Sequence, residues 1–284
     1  MANERTRVSP RERSGESGGP RIREDAVVAR KINREAVVLL GWGRAILLQL
    51  AHPLVAAGVR DFSHFGESAG GYVRRVRRTV GGMLNITFGT EVAARETIGR
   101  INAIHGQVHG RLSRDVGVFP AGTPYTATDP ALLLWVHATL VDSMITAYEL
   151  LIGPLTPDEQ DRFCAEAAVT GEALGIPADQ MPSTAGELRE YFDRMYAAGA
   201  IVVGPDARAL AAQLFSPPLG PAVPLFRITR LVTIGLMPKH IRAGYGFEWD
   251  ARRERAFRAV MAVVRRVRKL LPPILREWPI SRVA

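Results

Sequence analysis

The chain has 284 residues, enough for about two average domains or one large helical one, and its 47% hydrophobic and 23% charged content excludes a chain disordered throughout. A single cysteine, Cys164, excludes an internal disulfide framework and any zinc or iron–sulfur site built on cysteine. The net charge of +9 is segregated: residues 251–284 hold +8 of it and the other 250 residues are nearly balanced, so the body lacks the charge of a nucleic-acid-binding protein.

Residues 1–23 are polar, with Gly, Ser, Pro and charges of both signs, and are expected to form a disordered tail ahead of one domain over 24–284. They contain no apolar h-region, so no secretory signal is expected and a cytoplasmic location is the default. From Asp25 to Ala243 helix-length apolar segments alternate with Gly and Pro breakers, the pattern of a single all-α domain. Residues 45–59 carry no formal charge, but they are too short to span a bilayer and are interrupted by Gln49, His52 and Pro53. A buried helix kinked at Pro53 is expected there, and no transmembrane helix. Thr128-Asp129-Pro130 and Thr156-Pro157 each place a capping side chain before a first-turn proline, and Thr184 with Glu187 resembles a capping box. Residues 201–204 are too short to argue a strand.

Residues 252–271 place Phe257, Val260, Met261, Val264, Val267 and Leu271 at helical spacing, flanked by Arg265, Arg266, Arg268 and Lys269. This basic amphipathic helix reads first as a core-packing helix with a solvated face and second as a contact for an anionic membrane surface. Nucleic acid fits poorly, because no aromatic residues are interleaved with the basic ones.

Six histidines are available for chemistry. His105 and His109 stand four apart, on one face if their segment is helical, but the glutamate of an H-E-x-x-H zinc motif is absent. A lone histidine on a helix is also the minimum that a haem iron needs, against the plainer reading of a packed or surface histidine. His137 and His52 lie in apolar surroundings and read as satisfied core histidines; His64 reads as a loop residue. Arg74, Arg75, Arg77 and Arg78 cannot all share one helix face, so at least one is expected to point inward, toward an anionic ligand such as a haem propionate, unless the cluster is a solvated turn. No nucleophile elbow, P-loop or dinucleotide fingerprint is present.

Several blocks taken together resemble one family. They are Gly43-Arg44-Ala45-Ile46-Leu47-Leu48-Gln49-Leu50-Ala51-His52-Pro53, Arg74 to Thr79, Ile104-His105 to Gly110, Tyr125-Thr126-Ala127-Thr128-Asp129-Pro130 through Trp135-Val136-His137, and Gly153-Pro154-Leu155 with Leu174-Gly175-Ile176-Pro177. Their order and spacing are similar to the MpaB/rubber-oxygenase family over roughly residues 30–245. The resemblance implies an all-helical fold with a b-type haem between its helices, and a haem b-dependent oxygenase or oxidoreductase that uses O2 on an apolar, isoprenoid- or lipid-like substrate. It assigns the iron to His105, with His137 as fallback, and the distal roles to Arg75 and Thr79. Arg78 stands where latex-clearing proteins carry a lysine able to ligate iron, and a guanidinium stays protonated, so an open distal side is implied. The family's distal glutamate has no clear match: between Val59 and Glu67 only Asp61 and Glu67 are acidic. No rubber-cleaving role is therefore carried over. Two alternatives stand beside the oxygenase: a haem-binding protein without turnover, and a cofactor-free helical protein associating with membrane surfaces through residues 252–271.

Overall fold

A helix that is apolar on nearly every side must be surrounded, and the segment after Asp129 meets that condition. Asp129 accepts a hydrogen bond from the Ala131 N–H at 2.8 Å, and Pro130 occupies the first turn, where no N–H is needed. The helix that follows, α6 (Pro130–Leu151), runs through the centre of the molecule. The computed structural model describes residues 26–62, 69–215 and 223–282. The expected tail, His64 and Glu67 lie outside the described residues.

Around α6 pack α1 (Val27–Asn33), the 3-10 turn Ala36–Gly41, α2 (Trp42–Leu50), α7 (Pro157–Ala173) and α12 (Ala251–Leu270). By length and hydropathy α6 is apolar enough to cross a membrane, yet most of its apolar stretch is buried inside the protein, as a core helix requires. The 3-10 turn comes close because Gly41 has no side chain: a Cβ there would lie 2.7 Å from the Ser143 carbonyl oxygen and 2.8 Å from the Ala147 Cβ. Arg44 brings a charge into this core. The guanidinium of Arg44 pairs with Asp142 at 2.6 Å and donates to the Ser143 Oγ at 2.7 Å and the Leu236 carbonyl at 2.9 Å, so its charge and its donors are matched.

The uncharged stretch 45–59 is two helices rather than one kinked helix. α2 ends at Leu50, α3 (Pro53–Phe62) begins on the proline, and the segments on either side of the break meet at 105°. Pro53 acts as a helix starter because its missing N–H costs nothing in a first turn, whereas inside a helix it would remove a bond.

α4 (Ala69–Phe88) and α5 (Glu91–His105) form an antiparallel hairpin, with Thr90 capping α5 through the Ala93 N–H at 3.1 Å. A short ribbon follows: β1 (His109–Arg111) pairs antiparallel with β2 (Pro124–Thr126), Gly110 opposite Tyr125. A Cβ on Gly110 would lie 2.7 Å from the Tyr125 Cζ, so this crossing requires glycine. The ribbon rests on α3 and builds a small satellite core with Leu54, Ala57, Leu112 and Leu132. The sequence patterning did not reveal these strands.

After α6, the Thr156 hydroxyl and the Glu159 carboxylate form a reciprocal capping box on α7. Thr184 caps α8 (Ala185–Ala197), and the carboxylate of Glu187 accepts from the N–H and hydroxyl of Ser183. α9 (Pro205–Leu214), α10 (Val223–Leu236) and α11 (Lys239–Gly244) complete the core, with α10 lying on α2 and α12. Residues 201–204 are extended without strand pairing, although the Val202 N–H donates to the Ala51 carbonyl at 2.9 Å. The chain then runs from α12 into α13 (Pro273–Arg276) and a 3-10 turn, Pro279–Arg282, that rests on α4.

Candidate functional site

His105 is the last residue of α5, because Gly106 caps the helix and the chain turns there into β1. The expectation that His105 and His109 share a helix face is corrected by this turn: His109 is exposed on β1. His105 is half-buried, and burial lowers its pKa below the ordinary imidazole value, so the ring is neutral at neutral pH. Its Nδ1 is shielded from solvent and has no hydrogen-bond partner among the described residues. A buried polar atom left unpaired by the protein calls for an explanation, and a missing ion or cofactor is one.

The surroundings narrow that explanation. A Cβ at Gly82 on α4 would meet the Thr97 Cγ2 of α5 at 3.6 Å, which sets the register of the hairpin. Eight residues along each helix from that contact, about 12 Å, bring His105 level with Arg74 and Arg75. The same end of the hairpin leaves Val76 and Ile104 exposed at 44% and 52%. Arg74, Arg77 and Arg78 are also exposed there and have no acidic partner among the described residues. The expected inward-pointing guanidinium is therefore not found among these three, because the open end of the hairpin gives them solvent instead of a core. Arg75 belongs to α4, but its side chain lies outside the described residues. Thr79 is exposed on the same helix.

Two other helices reach this end. The Asn102 Nδ2 donates to the Ala173 carbonyl at the end of α7 at 3.2 Å. Three residues past His105, Val108 approaches the α3 glycine Gly58 closely enough that a Cβ there would be 3.3 Å from the Val108 Cγ1. His105 thus sits where α3, α4, α5 and the end of α7 converge. Among the described residues no three His, Cys, Asp or Glu side chains gather around a metal position. A porphyrin would supply four further nitrogens to a metal held by His105. A neutral imidazole with an unpaired nitrogen, exposed aliphatic surface and unpaired cations fits such a group.

The comparisons with known proteins decide the family. Residues 29–266 match the family described as ER-bound oxygenase mpaB/B'/rubber oxygenase, catalytic domain. The chain belongs to the mpaB/rubber oxygenase family. Two uncharacterized proteins, one from Mycobacterium bovis and one from Mycobacterium tuberculosis, are each 29% identical over 237 residues, 82% of this chain and 89% of theirs. No solved structure matches the chain significantly. The match covers every described helix from α2 to α11 and most of α12, so the convergence at His105 lies within the oxygenase catalytic domain.

In this oxygenase domain Asp61 is already engaged. Arg60 donates to it at 2.7 and 3.0 Å, the Tyr125 hydroxyl donates to Oδ2, and the bond from Arg60 leads in holding its carboxyl below the usual carboxylate range. Arg60 also pairs with Asp206 at 2.6 Å, tying α3 to α9. Sequence reading missed this cluster, since Tyr125 lies 64 residues from Asp61 and no local pattern links them. His137, on α6, is enclosed by protein but retains accessible surface, and burial pushes its pKa down to about 4. No hydrogen bond to its ring is present among the described residues. His52 fits the reading of a satisfied core histidine: its Nδ1 accepts from the Leu54 N–H at 3.3 Å, its ring lies 5.2 Å from Phe119, and burial pushes its pKa down to about 4.

Proposed function

We propose that the chain is a haem b-dependent oxygenase acting with O2 on an apolar substrate of isoprenoid or lipid type. One observation carries the reading: a neutral, partly buried histidine with an unpaired nitrogen closes α5, within the catalytic domain of an oxygenase family. When bound, haem supplies the activation of O2 that no side chain here can provide. His105 would hold the iron, and the exposed cations at 74, 77 and 78 would pair with the propionates. Arg78 stays protonated and would not ligate the iron, while Arg75 and Thr79 would orient the reactants. Val76 and Ile104 supply aliphatic surface that keeps water from the cofactor edge and favours an apolar substrate. His137, neutral on the central helix, is the reserve ligand.

Asp61 favours a second reading, haem binding without turnover. A carboxylate locked to Arg60 and Tyr125 is a poor base, so proton transfer at the site has no acidic residue in α3 to serve it. Oxygen uptake separates the two. The haem-loaded protein should consume O2 only when an isoprenoid hydrocarbon or unsaturated lipid and a reductant are supplied, and Arg75→Ala should slow uptake at least tenfold. Full haem occupancy without substrate-dependent uptake across these substrates would leave the carrier or sensor reading.

A further inference from the structure

The C-terminal helix differs from its expected form in a way that exposes a second surface. Phe257 and Met261 are buried as the sequence pattern required, and Val260 and Val264 pack on the core. Two of its cations reach neighbouring elements: Arg268 forms an ion pair with the buried Glu35, and Arg265, though exposed, donates to the Leu150 carbonyl at the C-terminus of α6. The opposite side is left apolar. Val263, Val267 and Leu270 follow each other at spacings of four and three, on one face of α12, and are 57%, 48% and 84% exposed. Pro272 and Pro273 then turn the chain so that α13 presents Ile274 and Leu275, each 66% exposed, beyond the helix end. Isolated exposed aliphatics are ordinary, but five within thirteen residues form a patch.

We propose that the end of α12 and α13 form a docking surface for an anionic lipid bilayer. Residues 255–276 contain seven Arg and Lys and no acid, and Arg266 and Lys269 lie exposed beside the aliphatic row without an acidic partner among the described residues. That combination matches an anionic headgroup layer over an acyl interior. A second copy of the chain fits badly, because a two-fold contact would set these cations against each other. Residues 1–23 carry a net +3 and almost no apolar side chains, so they complement the patch in neither charge nor hydrophobicity. Protein hot spots centre on Trp, Tyr or Arg seated in well-packed pockets, and the row offers no aromatic anchor. The 3-10 turn after α13 rests on α4, the helix that carries Arg74 to Thr79. Docking does not depend on the haem reading, and the two can fail separately.

Flotation of the purified full-length chain tests it, with vesicles of phosphatidylcholine alone and with 30% phosphatidylglycerol. The chain should float with the anionic vesicles at 0.1 M salt and largely dissociate at 0.5 M. Leu270→Asp/Leu275→Asp should weaken partitioning at least tenfold, and Arg266→Gln/Lys269→Gln by about thirtyfold. Both pairs are exposed, and unchanged circular dichroism and melting temperature would confirm the variants folded. Absence of flotation at low salt, or equal flotation of the folded variants, would overturn the proposal. A dimer abolished by Leu270→Asp/Leu275→Asp, with no vesicle binding, would overturn it in favour of a second copy.

Discussion

At the scale of single residues, the histidines divide by what surrounds them. His52 and His137 are both pushed down to about 4 by burial, against an ordinary value near 6.5. Between pH 6.5 and 4 the unfolded chain binds protons at these positions and the folded chain does not, so their contribution to stability is complete above pH 6.5 and is lost as pH falls toward 4. Each ring contributes up to about 1.4 kcal/mol per pH unit in that window. Thermal melts from pH 7 to 4.5 should show a falling midpoint, and His137→Gln should remove one proton's worth of the slope; an unchanged slope would contradict it. Cys164 is inert by the same physics, its thiol pushed up to about 12 by burial. The sequence marked His105 only through the family resemblance, because spacing alone gives no reason to prefer one histidine of six. It also suggested a false neighbour, His109, although Gly106 between them was a visible signal that the helix ends. The lock on Asp61 depends on a tyrosine 64 residues away and leaves no local trace.

Secondary elements were legible where a side chain announces a start. Asp129-Pro130, Thr156-Pro157 and Thr184 all cap helices in the expected places. The break between α2 and α3 was read as a kink, because a proline inside an apolar run signals an interruption without saying whether the axis bends or a new helix begins. Strands of three residues carry too little alternation to be recognised, so β1 and β2 went unseen. Contacts between distant elements were not legible, and the pairing of Glu35 with Arg268 is the clearest case. It joins the start of the 3-10 turn before α2 to the last turn of α12 across 233 positions, with Glu35 only 2% exposed. Removing one member of so enclosed a pair strands the other charge, and Glu35→Ala should cost about 3 kcal/mol by urea or thermal unfolding. A loss below about 0.5 kcal/mol would show that the guanidinium finds solvent once released.

For the whole molecule, a nearly neutral helical body carries a cationic end, and the structure gives both halves of that division a place. The body surrounds α6 and brings α3, α4, α5 and the end of α7 together at His105, while the cationic end covers α6 on one side and turns an aliphatic row outward on the other. Composition predicted the segregation of charge, and periodicity predicted the helix that carries it. Neither showed which cations engage the body, since that depends on Glu35 and on the carbonyls of α6. The central claim is that His105 holds haem, and an absorption spectrum combined with a pyridine haemochromogen assay tests it most directly. Protein produced with ample iron and haem precursor should show a Soret band at close to one haem per chain, and His105→Ala should lose it while keeping its helical circular dichroism. A folded His105→Ala that retains full haem would contradict the assignment, and a colourless wild type that takes up no added haem would contradict the cofactor itself.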